Sequence, residues 1–149
     1  MKLAEALQER ADLNRKIAQL KDRLRDNALH QEGESPAEDP MELLSEIDSS
    51  LLRLEEIISK VNLKNSQTIV EGKSITEWIS RRDCLQMKLS AYDRLIESAS
   101  GMIHRASGRE IKILSSVDVR SLRKVRDSIA KEIREVDNLI QRTNWETDL

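Results

Sequence analysis

Phenylalanine is absent from this 149-residue sequence, and Trp78, Tyr92 and Trp145 are its only aromatic residues. The core must therefore be built from Leu, Ile and Val, and there are too few rings for a surface that reads bases or sugars by stacking. A single cysteine, Cys84, excludes an internal disulfide and a thiolate metal cluster. Only two prolines and four glycines interrupt the chain, which leaves long stretches free of helix breakers. No apolar run approaches the roughly 18 residues that cross a bilayer. The opening Met1-Lys2-Leu3-Ala4-Glu5 meets charge before any signal-type apolar stretch, so a soluble, cytoplasmic protein is expected. An excess of one charge is also lacking. Against 27 acidic residues stand 25 basic ones, a formal net charge of −2, which gives no global attraction to nucleic-acid phosphates or anionic lipid. Nucleic-acid binding is disfavoured.

What is present is helical periodicity. Four runs repeat apolar residues every three and four positions, predicting a mainly α fold: four long amphipathic helices in an antiparallel bundle or coiled-coil arrangement, forming one domain over residues 1–149. Helix one is expected over 2–27, with Leu3, Ala6, Leu13, Ile17, Leu20 and Leu24 on its stripe. Helix two, over 40–62, carries the cleanest seam, Leu44, Ile47, Leu51, Leu54, Ile58 and Val61. Helix three, over 75–106, repeats Trp78, Arg82, Leu85, Leu89, Tyr92, Ile96, Ala99 and Ile103, with Gly101 inside it. Helix four, over 118–144, shows Leu122, Val125, Ile129, Ile133, Val136 and Ile140. Asp39-Pro40-Met41-Glu42 and Ser74-Ile75-Thr76-Glu77 read as helix starts, and Asp118 as a cap. Thr68 to Ile75 reads as a β-hairpin turning at Glu71-Gly72, and alternation over 109–114 as a third short strand able to join it.

Chemistry is harder to find. The aperiodic linker 29–39 places Glu32, Glu34 and Glu38 close to His30, a set that could hold a hard cation such as Mg²⁺ or Ca²⁺, although no calcium-loop spacing is present and Asp39 serves better as a helix cap. The same linker could instead dock on Arg120, Arg123, Lys124 and Arg126 at the start of helix four. The plainer reading makes both ordinary solvated surfaces. His104 near the end of helix three fits a helix-dipole role, and Cys84 a structural thiol. Arg10 and Arg82 sit on apolar stripes, where a charge either pairs across helices and fixes register or snorkels to the rim. If Arg82 pairs with a carboxylate across helices, Arg82→Ala should cost about 3 to 5 kcal/mol by leaving that carboxylate unpaired. Trp145, in the tail Trp145 to Leu149, is expected to dock its ring on neighbouring helices or on the linker. No catalytic or cofactor motif stands out, and no cofactor is expected.

Four segments fall in a suggestive order and spacing: Gln31 to Pro40, Arg81-Arg82-Asp83, Glu110-Ile111-Lys112, and Asn144 to Leu149. Together they resemble a family of small bacterial proteins labelled septicolysin. The resemblance implies no established activity, substrate or catalytic residue. Its label implies a pore-forming cytolysin, but the sequence has neither a spanning segment nor long alternating strands for a transmembrane barrel.

The leading expectation is a self-associating interaction or scaffold protein, a closed homo-oligomer held by apolar faces too wide for one partner helix. The enzyme alternative is a metal-assisted hydrolase built on the linker, and the cytolysin is third.

Overall fold

Apolar residues three and four apart make one face of an α-helix. The computed structural model of the chain, which describes residues 1–101 and 111–149, follows that rule in α1 (Leu3–Asp26), α2 (Pro40–Gln67), α3 (Ile75–Ser100) and α4 (Val119–Glu146). Two short strands, β1 (Ile69–Val70) and β2 (Lys73–Ser74), pair antiparallel with Ile69 opposite Ser74 and Val70 opposite Lys73. Glu71 and Gly72 both have positive φ, 49° and 79°, as a two-residue turn matched to strand twist requires. The fold is mainly helical, with the hairpin where the turn residues predicted it.

Capping chemistry sets the helix starts. Asp39 Oδ1 accepts from the Met41 amide at 2.9 Å, and Pro40 follows in the first turn, where a missing amide loses no bond. Asp118 Oδ1 accepts from the amides of Arg120 and Ser121. The ends differ from expectation. α2 runs past Asn62 to Gln67. α3 stops at Ser100, directly before Gly101, which favours a helix end. Residues 102–106 of the expected helix three, including His104, lie outside the described residues. The third strand is not formed over Ile111–Leu114, where the backbone is irregular and Ile111 and Ile113 are exposed. Their alternation meets no core. The preceding Gly108, Arg109 and Glu110 lie outside the described residues.

The chain divides into two compact units, Met1–Ile75 with Gln141–Leu149, and Thr76–Ile140. In the first, Glu9 pairs with Arg53, Lys16 with Glu46 and Arg23 with Glu38. Partners run down α2 and into the linker before it as they ascend α1, so the two helices are antiparallel. Leu3, Ala4, Ala6, Ile17 and Leu20 of α1 and Leu43, Ile47, Ser50, Leu54, Ile57 and Val61 of α2 are buried. The end of the chain closes this unit by backbone pairing: Leu3 donates to the Thr147 carbonyl at 2.8 Å, and Leu149 to that of Met1 at 2.9 Å. Lys2 Nζ lies 2.9 Å from the Asp148 carboxylate.

In the second unit, Leu85 of α3 and Ile129, Val136 and Ile140 of α4 form the core, with Trp78, Ile79, Leu89, Tyr92 and Ile133 packed around it. Arg81 pairs with Glu132, Arg82 with Asp137 and Arg126 with Asp93. These partners again run in opposite directions.

Candidate functional site

The acidic linker comes first, because it carried the metal expectation. Glu38 is paired with Arg23 of α1. Its Oε2 accepts from Arg23 Nε at 2.9 Å and its second oxygen from Arg23 Nη2, and this guanidinium holds the carboxyl below the usual glutamate range. Its amide donates to Asn27 Oδ1 at 3.0 Å. Asp39 is committed to its cap. His30, Glu32 and Glu34 are exposed, and among the described residues no group of three His, Cys, Asp or Glu side chains is placed to hold a metal ion. The linker fastens the α1–α2 connection by one Arg–carboxylate fork, a geometry that a list of nearby carboxylates cannot convey.

Helix α2 presents a more specific feature. The expected seam and the buried seam share Ile47, Leu54 and Val61, but the buried one is completed by Leu43, Ser50 and Ile57. Two apolar lines lie side by side on this helix, and Ser50 interrupts one of them, so the uninterrupted line reads as the core in sequence. In the fold Ser50 is 5% exposed, and the uninterrupted line is turned outward, with Leu44 at 38%, Leu51 at 44% and Ile58 at 36%. A small side chain in a seam lets two helices approach, so α1 takes the interrupted line.

Leu44, Leu51 and Ile58 are one heptad apart, and Asp48 and Glu55 fall between them at spacings of four and three, on the same face. Met41 and Leu52 extend its exposed apolar area. Both carboxylates are exposed and have no ion-pair partner among the described residues. Their neighbours on α2 are paired: Glu46 with Lys16, and Glu56 with both Arg53 and Lys60. Those cations hold Glu46 and Glu56 below the usual glutamate range.

The other expected residues scatter. Arg10 is exposed on α1, between buried Ala6 and half-buried Leu13 of the same stripe. Arg82 does reach across helices, with Nη1 3.4 Å from Asp137 Oδ1 and Nη2 3.0 Å from Asp83 Oδ1, but its side chain is 25% exposed and that of Asp137 45%. It bridges at the rim of the seam. Trp145 is 52% exposed. The tail docks through its backbone, and Thr143 and Asn144 are the buried residues there. Cys84 is exposed. At the start of α4, Arg126 is held by Asp93 at 2.7 Å, leaving Arg120, Arg123 and Lys124 exposed. An open crevice of about 400 Å³ is lined by Met1, Lys60, Leu63, Lys64, Gln67 and Leu149. Its lining offers cations and apolar surface but no pairing of a nucleophile with a base.

None of the described helices is long and apolar enough to cross a membrane. A crystal structure described as that of a functionally unknown conserved protein from Corynebacterium diphtheriae superposes on the chain with a TM-score of 0.94 and 39% identity, over 100% of this chain and 98% of that one. No curated protein matches the chain. The septicolysin resemblance is overturned: a family of unknown function (DUF6847) matches residues 10–149, and nothing found carries the septicolysin label. The quoted segments do structural work that many helical proteins share, since Glu38 braces a loop, Asp39 caps a helix and Arg82 bridges α3 to α4. With nearly its whole length matched, the chain belongs to this family of unknown function (DUF6847).

Proposed function

We propose that the protein is a helical interaction module, a scaffold element whose working surface is the outer face of α2. The observation that carries this reading is the row Leu44, Leu51 and Ile58, exposed at one-heptad spacing on a face that α1 does not cover. Single exposed apolar residues are ordinary on protein surfaces. A row of them along one helix is the pattern that a second helix buries, with seam residues recurring at i and i+7. Self-association is one way to bury it, and docking of a helix from another polypeptide is the other. The metal-assisted hydrolase has no comparable support, because Glu38 is taken by Arg23.

The test is titration of the intact chain with a synthetic helix-forming peptide carrying Leu at heptad seam positions and Gln on its flanks. Light scattering reads the mass throughout. The expected result is peptide binding at micromolar concentration, or a self-associated mass of twice 17.1 kDa. Either should be lost in Leu51→Gln while the melting temperature stays put. A 17.1 kDa monomer that ignores the peptide overturns the reading.

A further inference from the structure

On the reading of α2 as a docking helix, we infer that its outer face takes a cationic amphipathic helix of another polypeptide rather than the same face of a second copy. The face is not purely apolar. Between Leu44, Leu51 and Ile58 stand Asp48 and Glu55, exposed and without an ion pair among the described residues, whereas Glu46 pairs with Lys16 of α1 and Glu56 with Arg53 and Lys60 of α2. From Leu44 to Ile58 the row runs about 21 Å at 1.5 Å per residue. A partner helix of roughly four turns would cover it.

Charge decides which partner. If two copies paired antiparallel about Leu51 and Leu52, Asp48 of one would lie opposite Glu55 of the other. A parallel pair in register would set each carboxylate against its own equivalent. Both arrangements oppose like charges at the edge of an apolar seam, where dielectric screening is reduced and flanking charges select partners. A helix with apolar residues one heptad apart and Lys or Arg between them meets no such opposition. It would bury the three apolar side chains and set cations against Asp48 and Glu55.

The protein supplies its own probe. The double variant Asp48→Lys/Glu55→Lys keeps the shape and apolar row of α2 and reverses its charge, so it stands in for a cationic partner helix. Sedimentation of each protein alone and of an equimolar mixture compares the three pairings. Each alone should remain at 17.1 kDa, while the mixture moves toward twice that mass. Its dissociation constant should be at least about tenfold below either self-pairing, and 1 M salt, with a Debye length of about 3 Å, should erase most of the difference. Leu51→Gln in either component should abolish the mixed species.

A second variant keeps the test decisive should the charge-reversed chain fold poorly. Asp48→Asn/Glu55→Gln removes the repulsion and should self-associate more strongly than the natural chain. A natural chain that pairs with itself as tightly as with the reversed variant overturns the charge argument and leaves self-association standing. A mixture that stays monomeric also overturns it, and binding of the neutral peptide then shows whether the docking face itself survives.

Discussion

The α1–α2 pair and the α3–α4 pair are both antiparallel and both carry ion pairs, yet they solve the packing problem differently. Among the described residues, the large side chains that are fully buried, Leu3, Leu20, Ile57, Val61 and Ile75, belong to the first unit. There the seam includes Ala4, Ala6 and Ser50, small residues that let neighbouring turns interlock and leave little room for water. In the second unit the innermost residues, Leu85, Ile129, Val136 and Ile140, retain 3 to 8% exposure. Trp78 and Tyr92 pack around them as half-buried rings. A chain with only three aromatics places two of them where aliphatic interlocking is least complete, because one ring covers the area of several methyl groups. Close packing in one unit and ring-filled packing in the other imply different sensitivities to truncation.

The largest expected effect is therefore a core truncation in the first unit. Ile57→Ala removes a side chain that is 0% exposed and should cost about 3 to 5 kcal/mol, toward the upper end of the range for such changes. Leu85→Ala, at 8% exposure in the second unit, should cost about 2 to 3 kcal/mol, since water and neighbouring rings can relax into the space. Amide hydrogen exchange read residue by residue distinguishes the units. Equal losses would show that the two cores are packed alike.

Acid should separate the units next. Glu9, Glu38, Glu46 and Glu56, all in the first unit, are held below the ordinary glutamate value of 4.5 by hydrogen bonds from Arg53, Arg23, Lys16 and Lys60 respectively. In the second unit Asp93, bonded by Arg126, and Asp118, bonded by Ser121, are lowered from 3.8. A carboxylate whose folded value is depressed contributes stability that is present above its unfolded value and lost as pH falls through the folded one. The stabilisation that these four glutamates give the first unit should therefore begin to decline as pH falls below 4.5, and that from Asp93 and Asp118 in the second as it falls below 3.8. NMR spectra along an acid titration should show α1–α2 amides losing protection first. Simultaneous loss would mean that the exposed pairs carry too little of the stability to matter.

Much of the helical framework was legible in the sequence, for reasons that are themselves local. Helix existence follows from spacing, and helix starts from Asp39, Pro40 and Asp118, whose capping acts within three residues. The Glu71-Gly72 turn likewise needs only its own backbone. Choosing between the two apolar lines of α2 was beyond a sequence reading, because burying Ser50 depends on how closely α1 approaches. Glu38 looked like one member of an acidic cluster for the same reason: Arg23 lies 15 positions away in sequence, and only the α1–linker geometry joins them. Trp145 was expected inside because of its ring, whereas backbone pairing between Thr147 and Leu3 holds the tail and leaves Trp145 half exposed. The outward row Leu44, Leu51 and Ile58 was thus visible as residues but read as part of the buried seam that Ile47, Leu54 and Val61 do form.

Arg82→Ala should produce the smallest effect and bears on how the second unit keeps its register. Position 82 lies on the apolar stripe of α3, where a buried and paired guanidinium would make truncation severe. The observed side chain is instead a quarter exposed, 3.4 Å from a half-exposed Asp137 and 3.0 Å from Asp83 beside it. Water can solvate Asp137 once the arginine is gone, so no carboxylate is stranded, and the loss should be about 0.5 kcal/mol, as for other exposed bridges. Arg82→Met should match the alanine variant or exceed it slightly in stability, because its alkyl stem can keep packing along α4. Arg82→Glu should be the worst of the three, since it sets a carboxylate against both Asp83 and Asp137. Denaturant unfolding of the three variants tests the order. A cost of several kcal/mol for Arg82→Ala would mean that the bridge, rather than the ring-filled core around Leu85, holds α3 against α4.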